Sequence, residues 1–404
     1  MKKTFLILSV LVASYVVYIT IVSQKEIPVV HPNGQLFAGT AKCAQCHSEI
    51  FKNFLTTAHH LTTQIADEHS IKGSLKEPDN IYWFNDHDKV VIEKQKKYIF
   101  QVGYSSGKFI GAHQFDIVIG SGTRGQSYIQ WAGNKLLQLP LSYYANDHKW
   151  VTNPGNPTDR VVADRPVTAA CLNCHATFFK TNYLLSGASE FDSEQIIYGV
   201  ECERCHGPAA THVSSMINKI GKKNILNSAH MSRKLQLDAC AQCHSGRQQG
   251  SLKMPFTFLP GDSLVSNSMY ATKIDTSTNV EVHGNQYGML VASKCFLESG
   301  SLTCTTCHNP HQQERGNLKL LSSRCTKCHQ DNHEKECKLA GKLSGMISDN
   351  CIDCHMPLRA SNKIAFRASG NEKKSFEIAR THFISIYPQE AKKILAALEK
   401  NIVH

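Results

Sequence analysis

The chain has 404 residues, with 16 Cys, 21 His, 41% apolar and 19% charged side chains, and a formal charge of +11. That apolar share is too low for a polytopic membrane protein and too high for a disordered chain, and the length allows two or three domains. The basic surplus alone would suit nucleic acid or an acidic partner, so the cysteines must decide.

At the N-terminus Lys2 and Lys3 precede an apolar run, Phe5 to Val22. As a helix it would span roughly 27 Å, close to the hydrocarbon thickness of a bilayer. No small-x-small cleavage site follows, so an uncleaved anchor is expected rather than a removed signal. The lysines keep the N-terminus cytoplasmic and place the rest of the chain on the far side. An extended linker, Gln24 to Gly39, comes next. Ser48 to Ala66 then carries Ile50, Phe51, Phe54, Leu55 and Ala58 at helical spacing. Between Ile81 and Ala145, β-branched and aromatic runs at 81–84, 90–92, 98–102, 115–119 and 136–144 alternate with turn signals, which predicts a small antiparallel β-unit. Gly120-Ser-Gly122-Thr-Arg-Gly125 follows one of these runs but opens no helix, so a close-approach turn is expected there rather than a dinucleotide site. Ser251 to Val280 is rich in Ser and Thr and reads as a surface excursion. Met356-Pro357 begins a polar connector, and Pro388 opens an amphipathic helix, Gln389 to Asn401.

Fourteen cysteines fall in seven copies of C-x-x-C-H: Cys43, Cys46, His47; Cys171, Cys174, His175; Cys202, Cys205, His206; Cys240, Cys243, His244; Cys304, Cys307, His308; Cys325, Cys328, His329; and Cys351, Cys354, His355. C-x-x-C alone suits zinc, an iron–sulfur cluster or a dithiol. A His after every copy by chance is roughly a one-in-a-billion event at this His content. The spacing is that of c-type haem attachment: two thiols bond the vinyl groups and the adjacent His reaches the iron. Seven covalently bound haem c groups are expected, in a compartment outside the cytoplasm. Counting their propionates, the charge falls to roughly +4 oxidised and about −3 reduced, so nucleic acid is not an expected partner.

So many haems on so short a chain must themselves form much of the apolar core. The expected fold is therefore a multihaem cytochrome c of mainly short α-helices and loops wrapped around haems, with a small antiparallel β-unit inserted after the first haem site. The expected divisions are a signal-anchor at 1–24, linker and first haem site at 25–75, β-rich insertion at 76–160, six-haem region at 161–384 and terminal helix at 385–404.

Fourteen histidines lie outside the motifs, enough to give each iron a second imidazole, whereas the eight methionines show no repeated pattern. The chain resembles the periplasmic multihaem cytochromes c related to the tetrahaem cytochromes of ammonia oxidisers, over roughly Gly39 to Ile386. The strings that carry the resemblance are Cys43 to Phe51 ending in Ala58-His59; Gly120-Ser-Gly122; Pro166 to His175; Val200 to Pro208 with His212; His283 before Ser293-Lys-Cys295-Phe; Cys304 to His311; Cys351 to Pro357; and Thr381-His382-Phe-Ile. Two departures stand out. The tetratricopeptide repeats that often follow this haem region are lacking from the sequence, as is the C-x-x-C-K motif of cytochrome c nitrite reductases. Position by position, the resemblance implies His59, His212, His283, His311 and His382 as distal ligands. His333 is a sixth candidate, and His230, then His113, then His148, a seventh. His311 is too close in sequence to His308 to return easily to the same iron, so a neighbouring haem is expected for it. The resemblance also implies a Cys295–Cys337 disulfide.

Saturated bis-His iron favours an electron carrier, with a membrane quinol-oxidising complex or another cytochrome as redox partner. The competing class is a multihaem oxidoreductase with one open iron acting on nitrogen or sulfur oxyanions or hydroxylamine, with His148 or Arg124 for acid–base work. A scaffold subunit of a larger respiratory complex is the third.

Overall fold

The computed structural model describes residues 27–184, 188–246, 254–264, 281–329, 350–370 and 373–402. The expected anchor and its apolar run lie outside the described residues, as do His333 and Cys337. Among the described residues no helix is long and apolar enough to cross a membrane.

After short helices at Thr40–Ala44 and Ser48–Phe54, eleven strands follow: β1 (Thr63–Ile65), β2 (Ile81–Trp83), β3 (Asp88–Gln95), β4 (Tyr98–Ser105), β5 (Lys108–Gln114), β6 (Ile117–Ile119), β7 (Gly125–Ala132), β8 (Lys135–Gln138), β9 (Leu141–Tyr144), β10 (Lys149–Thr152) and β11 (Arg165–Pro166). β2 to β5 form a four-stranded antiparallel meander. Its β4–β5 turn, Ser106-Gly107, has positive φ at both residues (48° and 77°), the geometry that matches strand twist in a two-residue hairpin. The other strands make a seven-stranded sheet, in which β7 pairs with β6 and β8 and, through its first residues, with β9.

Period-2 alternation lets the larger sheet bury both faces. Val118, Tyr128, Leu141, Tyr143 and Trp150 pack against Tyr82, Phe84, Val90 and Ile92 of the meander. The Trp150 indole donates to the Ser74 carbonyl at 2.9 Å, and a Cβ on Gly73 would overlap its ring. On the opposite face Ile117, Ile129 and Leu136 pack against Leu172, Phe178, Phe179, Phe191 and Phe256. That second layer fixes the helix Ala169–Leu172, which carries Cys171.

The fold departs from the expectation of short helices and loops with one small β-unit. Among the described residues there are four antiparallel sheets, and two lie inside or after the motif-rich region. β12 (Phe178–Tyr183) pairs with β13 (Ser189–Ile197) between the second and third motifs. β14 (Leu358–Phe366) pairs with β15 (Ser375–Arg380) where a polar connector was expected. The reason is local in part: Ser-Phe-Glu-Ile-Ala-Arg of β15 largely alternates polar and apolar, a strand pattern, whereas β13 turns Ser189, Phe191 and Gln195 inward with no apolar period in its sequence. β14 also ties back to the β-unit, since Arg367 and Thr152 exchange hydrogen bonds at 3.0 Å and Phe366 packs on Tyr144.

Three further expectations change. The helix from Ser48 stops at Phe54, and β-branched Thr62-Thr63 leads into β1. The run Leu136 to Tyr144 breaks at Leu139-Pro140 into two strands. The described part of the supposed excursion is not surface, because Phe256 and Phe258 are buried. Gly120 and Gly122 do form a turn, with φ of 104° and 82°, and a Cβ on Gly120 would come within 2.5 Å of the Gly125 carbonyl. The terminal helix spans Pro388–Ile402.

Candidate functional site

The motifs sit on short helices or at helix ends. Cys202–His206, Cys304–Cys307 and Ile352–His355 are helices of four or five residues, and His244 and His329 end the helices Arg233–His244 and Leu318–His329. One helical turn carries both thiols and the imidazole on neighbouring faces.

Five complete motifs, the first to the fifth, line one void of about 2860 Å³. A single small-molecule site is roughly 300–1,000 Å³, so this void has room for several large ligands. Cys325 of the sixth motif also lines it, and Ile352 and Met356 bring the seventh to its edge. His59, His212, His230, His283, His311 and His382 line the same void. His113 and His148 are not among its lining residues; they bond Gln130 and Tyr143 on the β-unit.

Across the void, motif histidines face non-motif histidines. Ring centres are 6.1 Å apart for His59 and His244, 6.1 Å for His206 and His311, and 6.2 Å for His308 and His382. Metal–imidazole bonds of about 2.0–2.1 Å put trans nitrogens ~4 Å apart and ring centres ~6 Å apart, so these pairs are spaced for one iron between them. His311 thus faces His206 and not its neighbour His308. Burial lowers His59 and His382 to about 4, with further lowering from nearby imidazoles. Burial likewise lowers His244, His308 and His311. The uncharged ring is the form that binds metal.

Several of these rings use Nδ1 within the protein, which leaves Nε2 for a metal. His206 Nδ1 donates to the Leu226 carbonyl at 2.8 Å and His355 Nδ1 to the Ser385 carbonyl at 2.9 Å. His212 Nδ1 donates to the Lys223 carbonyl. His175 Nδ1 pairs with Thr62 Oγ1 at 3.2 Å and His244 Nδ1 with Gln286 Oε1 at 3.3 Å.

Thiols of different motifs also meet: Cys43 with Cys202, Cys174 with Cys243, and Cys240 with Cys304. All fifteen described cysteines are unbridged. Among the described residues no three His, Cys, Asp or Glu converge as a cage for a bare ion. That geometry fits macrocycles tethered side by side and does not fit zinc, which needs four converging ligands.

A family model described as cytochrome c554 and c-prime matches residues 146–207. The chain is 22% identical over 436 residues to the dissimilatory sulfite reductase MccA of Wolinella succinogenes, covering 89% of this chain and 56% of that protein. It is 27% identical over 177 residues to the multiheme cytochrome MtrA of Shewanella baltica, covering 40% and 52% respectively. These matches make the chain similar to multihaem c-type cytochromes. It spans about half the length of the curated relatives it matches, and no solved structure matches it.

Two features of this cytochrome escaped the sequence reading. Glu203, inside the third motif, is buried and accepts the amides of Ala38, Gly39 and Ala209 at 2.7, 2.8 and 2.7 Å, while Glu201 binds Thr40 Oγ1 at 2.7 Å and His60 Nδ1 at 2.6 Å. These acids staple the first motif to the third. Two carboxylates, one just before and one inside a C-x-x-C-H string of a basic chain, were the available signal. The second feature is Glu377, in contact with His283 and 2.8 Å from Arg124. Burial opposes its ionisation, and His283 and Arg124 outweigh burial and keep its carboxyl below the usual range. Those partners are far apart in sequence and left no local trace.

Proposed function

We propose that this cytochrome is a periplasmic electron carrier holding seven haems, one on each C-x-x-C-H motif, with predominantly bis-His iron. When bound, haem c supplies one-electron iron chemistry and closely spaced macrocycles for electron hopping. The observation that carries the reading is the set of three imidazole pairs at 6.1–6.2 Å across one void. In this assignment His206 with His311, His244 with His59 and His308 with His382 would each hold one iron. His212, His283 and His230 serve other irons, with His333 as a further candidate outside the described residues. The Nδ1 bonds of His175, His206, His212, His244 and His355 hold those rings' orientation, and the meeting thiols of different motifs would tether neighbouring haems close to one another. Donor and acceptor are a quinol-oxidising membrane complex or other cytochromes, reached from the periplasmic face of the inner membrane through the N-terminal segment.

A pyridine haemochrome assay should return seven equivalents, and the ferric protein should be low-spin. His311→Ala should convert one haem to high spin while His113→Ala changes nothing. Far fewer equivalents, or an unaltered spectrum in His311→Ala, would overturn the reading.

A second reading, an oxidoreductase acting on nitrogen or sulfur oxyanions or hydroxylamine, draws on one observation. Arg124 and Arg315 line the same void and could meet an anion, with Glu377, which also lines it and pairs with Arg124, offsetting part of their charge. A native high-spin component that shifts with nitrite or sulfite would favour it over the carrier.

A further inference from the structure

The third motif, Cys202-Glu203-Arg204-Cys205-His206, holds opposite charges side by side. Glu203 takes the amides that lead into the first motif, whereas Arg204 turns to the second and fourth. Arg204 Nη2 donates to the Asn173 carbonyl at 2.8 Å and to Asn173 Oδ1 at 3.0 Å, between the two cysteines of the second motif. The guanidinium also meets the Cys243 thiol of the fourth motif. Its carbon lies 5.8 Å from the centre of the Phe256 ring. One side chain therefore joins three attachment sites.

Arg204 is only 6% exposed and lines the cofactor void. Its Nε lacks a hydrogen-bond partner, and it makes no ion pair among the described residues. The acids around it are engaged elsewhere: Glu203 with three amides, Glu201 with Thr40 and His60, and Asp262 with the Leu259 amide at 2.9 Å. Cys243 supplies no counter-charge once its sulfur is a thioether, because only a thiol can ionise. Arginine keeps its proton inside proteins, so the charge stays. A buried charge without an anion costs the fold stability, and its use is to be sought in what fills the void.

We propose that Arg204 is the cation that raises the reduction potentials of the haems tethered at the second, third and fourth motifs, which makes that junction the electron sink of the chain. The inference rests on the reading of the motifs as haem sites. One-electron reduction takes ferric iron to ferrous and removes one positive charge; the donor supplies the electron, and no bond forms or breaks. A fixed cation nearby disfavours the ferric state more than the ferrous. At an effective dielectric of about 20, two unit charges about 12 Å apart change an equilibrium constant about tenfold. For a one-electron couple that is about 59 mV. Propionates are the anions a haem could offer to Arg204, but they occupy the edge of the macrocycle opposite its thioethers, and Arg204 lies among the cysteines.

The test is a spectroelectrochemical titration of the haem-loaded full chain, with haem counts and low-spin spectra to show that each variant is intact. Arg204→Gln removes the charge, Arg204→Lys keeps it, and Asn173→Asp sets a carboxylate against it at nearly constant volume. In Arg204→Gln the reduction equilibrium of the most positive components should become about tenfold less favourable, a fall of about 59 mV, while the remaining components stay in place. Asn173→Asp should give the same fall and decides the matter if Arg204→Gln fails to take up haem. Arg204→Lys should stay near wild type. Equal falls in Arg204→Lys and Arg204→Gln would leave Arg204 a packing role only and overturn the inference. Unmoved potentials in Arg204→Gln or Asn173→Asp, with every haem present, would do the same. Potentials that become pH-dependent in Arg204→Gln would reveal a buried propionate already neutralising Arg204, which also overturns it. Fewer haems than motifs in the wild type would instead sink the haem reading.

Discussion

The β-unit and the motif-rich region solve the same problem with different materials. Between Ile71 and Trp150 the chain buries its own aromatics: Tyr82, Phe84, Phe115, Tyr128 and Trp150 close a core between two sheets. From Val200 on, apart from Phe256 in the layer behind the larger sheet, the described residues supply small apolar clusters, such as Ala241 with Phe258 and Leu264, or Val282 with Met289 and Ala379. There the interior is the large void lined by thiols and imidazoles. A side-chain core is made when the polypeptide folds, whereas a core of tethered macrocycles must be delivered. The difference predicts that cofactor attachment matters far more to the folding of the motif-rich region than to that of the β-unit.

The largest expected effect follows directly. Chain made without haem attachment should lose amide-exchange protection across 204–244 and 304–329, while β3 and β4 stay protected; loss of protection in both would erase the contrast. Trp150→Ala should destabilise the β-unit by ~3–5 kcal/mol, read by thermal melting, with the haem spectrum unchanged. Glu203→Ala leaves three amides without acceptors and should cost about 1–3 kcal/mol or more, with loosening confined to the first and third motifs. The Glu314–Arg324 pair clamps the His311 loop to the helix Leu318–His329, and Arg324 holds the Glu314 carboxyl down to about 2. A depressed carboxyl stabilises above its ordinary value of 4.5 and loses that contribution as pH falls through about 2. The melting advantage of wild type over Arg324→Gln should therefore be full at neutral pH, shrink below 4.5 and vanish below about 2. Smallest of all, Phe109→Ser on the exposed edge strand should stay within about 0.5 kcal/mol.

The legible parts were those with short-range causes. Most strands of the β-unit stood out because β-branched runs alternate between turn signals. Of the hairpins at 178–197 and 358–380 only the strand Ser375–Arg380 carried a similar alternation, while β13 buries Ser189 and Gln195 beside Phe191 and offered no apolar period to read. Glu377, Arg124 and His283 come from three distant segments, so no window of sequence could join them.

By itself the sequence determined where cofactor chemistry sits, because C-x-x-C-H completes its thiols and imidazole within one helical turn and needs no distant partner. It also determined the polypeptide's basic surplus and the alternation behind most strands of the β-unit. Only the tertiary structure decided which imidazole faces which, setting His311 against His206, His59 against His244 and His382 against His308. Opposing rings across a void depend on how separate elements pack, and packing is a property of the whole fold.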